Sequence, residues 1–199
     1  DLTSEVLTQL PSSIVSFKDI KEHYPNTLIL SKSTGHSRSY GKNPYVGYDD
    51  INQTPFMLKG KADERLFPMQ RVATVSINDK DKAYAYSKVK RLKVVNDSFE
   101  NQNLALFFND KVTSALDRSD IATSKKSGSV LIYSSRVEDK KLEFYYDNGI
   151  YDKQTKSKWN IFGVAIEGEF KGQQLKAVTS GTHFWFAWAV FKPDTIIYK

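Results

Sequence analysis

The stretch Arg71-Val-Ala-Thr-Val-Ser-Ile77-Asn-Asp-Lys-Asp81-Lys-Ala-Tyr-Ala-Tyr86 decides the fold class. In its first seven residues Val72, Thr74 and Ser76 alternate with Ala73, Val75 and Ile77, the period of two of a β-strand. Asn78 to Asp81 is a run of turn formers, after which Ala83-Tyr84-Ala85-Tyr86 resumes the pattern. Strand, polar turn and strand together predict an antiparallel hairpin.

The same grammar extends outward. Leu92 to Val95 and Leu104 to Phe108 are apolar runs of strand length, with a second hairpin turn in Ser98 to Asn103. Ser129 to Ser134 and Leu142 to Tyr146 flank Glu138-Asp139-Lys140, which predicts a third. Two segments read as helix. Ser16 can cap a helix from Phe17 to about Tyr24, with Asp19 in its first turn and Pro25 ending it. Thr182 can cap another from His183 to about Lys192, ended by Pro193. Phe184, Trp185, Trp188 and Phe191 are large on nearly every face of that second helix, so it is expected to be buried on several sides. The fold class is α+β and β-rich: short antiparallel strands and hairpins, with two short capped helices at about 16–24 and 183–192.

These helices belong to one internal repeat. A shift of 168 positions, from Phe17 to Trp185, aligns Leu7 with Leu175, Leu10 with Val178, Ser12 with Ser180, Ile20 with Trp188, Pro25 with Pro193 and Ile29 with Ile197, without a gap. Each copy reads as strand, capped helix, Pro stop and short strand. On this reading 1–199 is one compact domain. Residues 1–30 close an upstream repeat unit, 31–68 are a long ordered loop, and 69–199 form a full unit. A loop as long as 31–68 within a domain is usually functional or a linker, and its aromatics argue against a plain linker.

The chain has 199 residues, 40% of them apolar, and a net charge of +6. That is enough apolar chain for a core without staples. It contains no cysteine, which excludes a disulfide scaffold, a cysteine zinc site, a thiol nucleophile and a cysteine-ligated iron–sulfur cluster. The longest apolar run, His183 to Phe191, falls well short of the ~20 residues of a membrane-spanning helix. The basic pairs Lys90-Arg91 and Lys125-Lys126 do not interleave with aromatics, so no specific nucleic-acid partner is expected. The chain opens on Asp1-Leu2 without the basic and apolar regions of a signal peptide, which suggests a mature form, a fragment or an excised domain.

Several stretches together carry a family resemblance. They are Leu10-Pro-Ser-Ser-Ile-Val-Ser-Phe17, Tyr24-Pro-Asn-Thr27, Thr34-Gly-His-Ser-Arg-Ser-Tyr-Gly-Lys-Asn-Pro-Tyr-Val-Gly-Tyr-Asp-Asp50, Ala83-Tyr-Ala-Tyr86, Val94-Val-Asn-Asp97, Ser114-Ala-Leu-Asp117, Asp152-Lys-Gln-Thr-Lys-Ser-Lys-Trp159 and His183-Phe-Trp-Phe-Ala-Trp188. Over nearly its whole length the chain resembles the bacterial and archaeal domain of unknown function family 3179. The resemblance implies a protein that is exported or membrane-anchored, often built of two related halves, and without an agreed activity. It also implies a Cys-Pro-x-Cys-type element where this chain has Asn109 to Val112 and no cysteine.

Two places offer chemistry. His183 is expected to open the aromatic helix, where the dipole disfavours an imidazolium and leaves a lone pair for a metal or a proton; Trp185 stands beside it. A structural histidine bonded to backbone is the alternative. In the Gly-rich loop, His36, Arg38, Tyr40, Tyr45 and Tyr48 with Asp49 have the groups to hold a carboxylate, phosphate or sugar, against an ordered loop packed by its own side chains. Asp49-Asp50 lacks the spacing of an EF-hand. Asp152, Thr155 and Ser157 read as a side-chain-to-backbone turn with Trp159 as core anchor. There is no Gly-x-Ser-x-Gly elbow, P-loop or Gly-x-Gly-x-x-Gly.

No cofactor is expected, and His183 with His36 are the residues for a transition metal if one is bound. The poverty of catalytic groups and the wealth of Tyr and Trp point to a non-catalytic exported binding or interaction module, or an accessory subunit. Its partner would be an upstream half of the same protein or another subunit. The alternative is a metal-binding protein or enzyme in which His183 and His36 converge on nearby Asp or Tyr.

Overall fold

The computed structural model describes residues 5, 8–56 and 58–199. In chain order, helix α1 (Phe17–His23) is followed by strands β1 (Arg71–Ile77) and β2 (Lys80–Ala85) and helix α2 (Tyr86–Leu92). Then come β3 (Val94–Phe99), β4 (Gln102–Asn109), β5 (Ser129–Ser134), β6 (Arg136–Val137), β7 (Lys140–Lys141), β8 (Phe144–Tyr146), β9 (Ile150–Asp152), β10 (Lys158–Trp159) and β11 (Ala165–Glu167). Strand β12 (Ser180–Phe184), helix α3 (Trp185–Phe191) and β13 (Ile196–Ile197) end the series. No helix among the described residues is long and apolar enough to cross a membrane.

The hairpin read from 71–86 is present. β1 and β2 pair antiparallel from Val72 opposite Ala85 to Ile77 opposite Lys80. Asn78 and Asp79 make the turn with φ of 50° and 59°, the left-handed pair that matches the twist of the strands and that Asn and Asp bear better than most residues. The second hairpin joins β3 to β4 through Glu100 and Asn101, with φ of 46° and 59°.

Three expectations are corrected. First, the strand ends at Ala85. Tyr86 begins α2, which buries Tyr86 and Val89, three residues apart on one helical face, and ends at Lys93 with φ 63°. Leu92 is therefore helical, and the next strand begins at Val94. Second, the turn at Glu138 joins only the two-residue strands β6 and β7. β5 pairs instead with β4, and β8 with β9. Third, α3 begins at Trp185. Ser180 to Phe184 pairs with β1, so His183 lies in a strand opposite Val72. Thr182 Oγ1 shares a hydrogen bond with the Tyr86 hydroxyl at 2.8 Å and does not cap. The first amides of α3, on Trp185 and Phe186, donate to the carbonyls of Gln70 and Pro68 at 2.8 and 2.9 Å.

The sheets stack in layers. One has the order β12-β1-β2-β13, with β13 parallel to β2. Its inner face, with Ala73, Val75 and Tyr84, packs with α2 on Leu104, Leu106 and Ile132 of the sheet β3-β4-β5. The other face of that sheet, with Ala105, Phe107 and Leu131, packs on Phe144, Ile150 and Trp159 of the sheet β8-β9-β10-β11. The run Leu104 to Phe108 is apolar at every position because β4 has a layer on both sides. On the outside of the first sheet, Trp185 and Ala189 of α3 cover Val72 and Ala83.

The correspondence at a shift of 168 holds for the helices and stops at their flanks. α1 and α3 occupy matching positions, 17–23 and 185–191. The residues preceding them have φ, ψ of −73°, 148° and −77°, 144°, and those following them −134°, 65° and −134°, 63°. Ser16 does cap α1, accepting from the Asp19 amide at 3.1 Å. By contrast 180–184 and 196–197 are strands, whereas 12–16 and 28–29 are not. Leu7 lies outside the described residues.

The turn around Asp152 has the predicted form. The carboxylate is fully buried and accepts from the Thr155 amide at 2.6 Å, the Thr155 hydroxyl at 3.0 Å and the Trp159 indole at 3.0 Å. Replacing Asp152 by Ala orphans these donors and is expected to cost about 2–4 kcal/mol, read as a lower urea midpoint. An unchanged midpoint would contradict the anchoring role.

Candidate functional site

The segment 38–53 is shaped by its own turn residues. Asn43 Oδ1 accepts from the Tyr45 amide at 2.8 Å, Gly47 has φ 74°, and Asp50 Oδ1 accepts from the Asn52 amide at 3.0 Å. The segment lies along residues 116–121, with the amides of Asn43 and Gly47 donating to the carbonyls of Ser119 and Asp117 at 2.8 and 2.7 Å. This docking delivers Asp49 into the protein, its side chain 2% exposed.

Three groups meet the Asp49 carboxylate. Arg71 Nη2 lies 3.2 Å from Oδ2, the Ser114 hydroxyl donates to the same oxygen, and Lys125 Nζ lies 2.8 Å from Oδ1. Oδ1 has no other partner among the described residues, and Lys125 Nζ also donates to the Asp49 backbone carbonyl at 3.2 Å. Burial works to raise the Asp49 pKa, but Lys125, Ser114 and Arg71 outweigh it and hold the carboxyl below its ordinary range. Asp49 is thus a fixed anion at neutral pH and not a proton donor. Ser114 is buried and also accepts from the Leu116 amide at 3.1 Å, so its hydroxyl is engaged in structure.

An aromatic surface continues from this anchor. The Arg71 guanidinium lies 4.9 Å from the centre of the Phe184 ring, Tyr48 meets the same ring edge to face at 5.5 Å, and Tyr45 lies 6.3 Å from Tyr48. Tyr45, Tyr48 and Asp49 are therefore brought together, joined by Arg71, Ser114, Lys125 and Phe184, which the sequence reading did not select. Lys125 belongs to the basic pair Lys125-Lys126, and nothing local in the sequence links it to Asp49. His36, just before this segment, and Arg38 and Tyr40 at its start are exposed.

His183 points away from this cluster, because successive side chains of a strand face opposite sides. Its ring lies 4.8 Å from that of Trp188, beside a cavity of about 160 Å³ that also involves Gln9, Thr74, Ser76 and Ser180. His36 is not among the residues lining it. The expected helix-dipole effect on His183 does not apply in a strand; burial lowers its pKa instead. Thr74 Oγ1 is buried there without a partner among the described residues. Trp185, selected as a ligand contact, is fully buried. Its indole donates to Asp63 Oδ1 at 3.2 Å, and Arg65, paired with Asp63 at 2.8 Å, lies 5.1 Å from the ring centre. Hydrogen bonding from Arg65 is the main cause of the lowered Asp63 pKa. A groove of about 760 Å³ lies elsewhere, between the turns at Asn78 and Asn101 with Arg136 and Lys176 on its walls. No group of three or more His, Asp or Glu among the described residues is placed to hold a metal.

Two pH effects follow. The unfolded chain protonates Asp49 at a higher pH than the folded one, so this stabilisation is complete above the ordinary aspartate range and is lost as pH falls through and below about 4. Asp49→Asn is expected to lose about 2 kcal/mol at pH 7 and to show a shallower decline of stability between about pH 5 and 2 in urea titrations; an equally steep decline would refute the assignment. His183 likewise refuses a proton that the unfolded chain accepts, so stability falls as pH drops below about 6.5. His183→Gln is expected to remove that slope between pH 7 and 5, and retention of the full slope would place its cause elsewhere.

A search of curated proteins and a search of solved structures each found no match. A family model covers residues 1–195, described as a protein of unknown function, DUF3179. By that match over almost its whole length, the chain belongs to the DUF3179 family.

Proposed function

We propose that this chain is a non-catalytic binding or interaction module, exported, that serves as an accessory part of a larger assembly. The observation that carries the reading is the apolar surface of residues 10–30. Leu10, Ile14, Phe17, Tyr24, Leu28, Ile29 and Leu30 are all exposed, Leu28 and Leu30 to 96%. So dense a cluster in one segment marks an interaction surface. The partner is an upstream half of the same polypeptide or another subunit. The fate of the polar groups supports this reading, since Asp49, Asp63, Asp19 and Ser114 are engaged in fastening the fold. Export rests on the family resemblance.

A second reading, metal binding or catalysis at His183, has its own support: burial favours a neutral imidazole beside the Thr74 hydroxyl, which has no partner among the described residues. His36 would have to come from the exposed segment to join it.

Native mass spectrometry with elemental analysis, on material from the natural source, tests both. The expected species is larger than the 22.7 kDa of this chain and carries no stoichiometric transition metal. Leu28→Asn with Leu30→Asn is expected to dissolve or destabilise that assembly while leaving the stability of the isolated chain within about 0.5 kcal/mol. A free 22.7 kDa chain without metal overturns the accessory-part reading and favours a self-contained binding domain, and a stoichiometric metal lost on His183→Gln establishes the second.

A further inference from the structure

α1 and α3 share length, cap geometry and the hydrogen bond that follows the helix: Thr27 N donates to Tyr24 O at 3.0 Å, and Thr195 N to Lys192 O at 3.2 Å. Their surroundings differ. Around α3 a closing device is complete. β12 pairs antiparallel with β1, from Ser180 opposite Val75 to Phe184 opposite Arg71. β13 adds parallel to β2, Ile196 opposite Lys82 and Ile197 opposite Ala83. Trp185 and Ala189 seal the outer face of the sheet between these two strands.

Around α1 the same parts stand open. Phe17 and Lys21, which correspond to Trp185 and Ala189, face solvent. Residues 12–16 and 28–29, which correspond to β12 and β13, lie in no strand. Yet α1 is fixed on its other side. Asp19 is buried and accepts from Ser16 Oγ at 2.7 Å, Asn109 Nδ2 at 2.9 Å and Lys111 Nζ at 2.9 Å. His23 and Tyr24 pack on Phe162 at 5.4 and 5.0 Å. The helix is anchored to its own sheets by one face and presents the other outward.

We propose that residues 10–30 close the sheet of a related unit by strand addition. Residues 12–16 run antiparallel along the first strand of a hairpin of the β1–β2 pattern, residues 28–29 run parallel along the second, and Phe17 covers the outer face between them. This rests on the module reading and names its partner: a two-stranded hairpin with both edges open and small apolar residues in the places of Val72 and Ala83. Lys21, standing where α3 has buried Ala189, adds a requirement for a carboxylate on that face. A second copy of this chain does not fit, because both edges of its hairpin are filled by its own β12 and β13. Seven large apolar side chains between Leu10 and Leu30 are exposed, material for an interface of standard size, to which each partner contributes about 800 Å².

The test compares hydrogen exchange in the isolated 199-residue chain with that in the natural polypeptide or assembly containing it, together with zero-length cross-linking of lysine to carboxylate. Amides of 12–16 and 28–29 are expected to exchange within seconds in the isolated chain and about a hundredfold more slowly in the assembly. Lys21 is expected to link to an Asp or Glu of a hairpin in a preceding unit. An assembly that holds together while both segments stay unprotected overturns strand addition and leaves the module reading standing. A Lys21 link to a second copy of this chain, or to a helical partner, overturns it equally. Isolation of a free chain overturns strand addition together with the accessory-part reading, and leaves a self-contained binding module.

Discussion

The ladder between β1 and β2 is used on all four sides. Its edges carry β12 and β13, its inner face meets the sheet β3-β4-β5 with α2, and its outer face is covered by α3. Tyr84 shows how tightly the inner side is made. It is fully buried, its hydroxyl donates to Asp97 Oδ2 at 2.7 Å, and Lys82 Nζ reaches the same oxygen at 2.6 Å. Burial is the first cause that pushes the Tyr84 hydroxyl far above its ordinary pKa, so it stays a donor. A hairpin alone is marginal in water; this one is stable because each exposed row of backbone or apolar groups has a partner.

Carboxylates, buried at Asp19, Asp49 and Asp152 and partly exposed at Asp63, fasten the irregular parts of the chain to that frame. Asp19 ties α1 to the end of β4, Asp49 ties the segment 38–53 to β1 and to 114–125, Asp63 ties its segment to α3, and Asp152 closes the turn before β10. Each accepts from two or more donors, which is the condition under which a buried charge is tolerated. For Asp19, Asp49 and Asp63 these donors hold the carboxyl below its ordinary range. A carboxylate so committed orders long loops at the cost of being withdrawn from acid–base work near neutrality.

The hairpins were legible because their signals are local: a period of two, then Asn-Asp or Glu-Asn where the backbone must turn left-handed. The N-terminus of α1 was legible for the same reason, since Ser16 caps Asp19 three residues away. The start of α3 was not. Thr182 and His183 suit a helix terminus by residue type, but the free edge of β1 draws them into a strand, and carbonyls of Gln70 and Pro68 take over the capping. The alternation continues through Tyr86 and points to strand; its burial with Val89 against the β3-β4-β5 sheet makes it the first residue of α2.

The candidate site divides along the same line. By itself the sequence determined the β-rich class, the turns, the absence of thiol chemistry and the family, all set by composition or by neighbours along the chain. Only the tertiary structure decided that Asp49 meets Arg71 and Lys125, that Trp185 is core, and that His183 and Tyr48 lie on opposite sides of a strand. Burying a charge or a large ring requires partners from other layers, and strand pairing brings those partners together from distant parts of the chain.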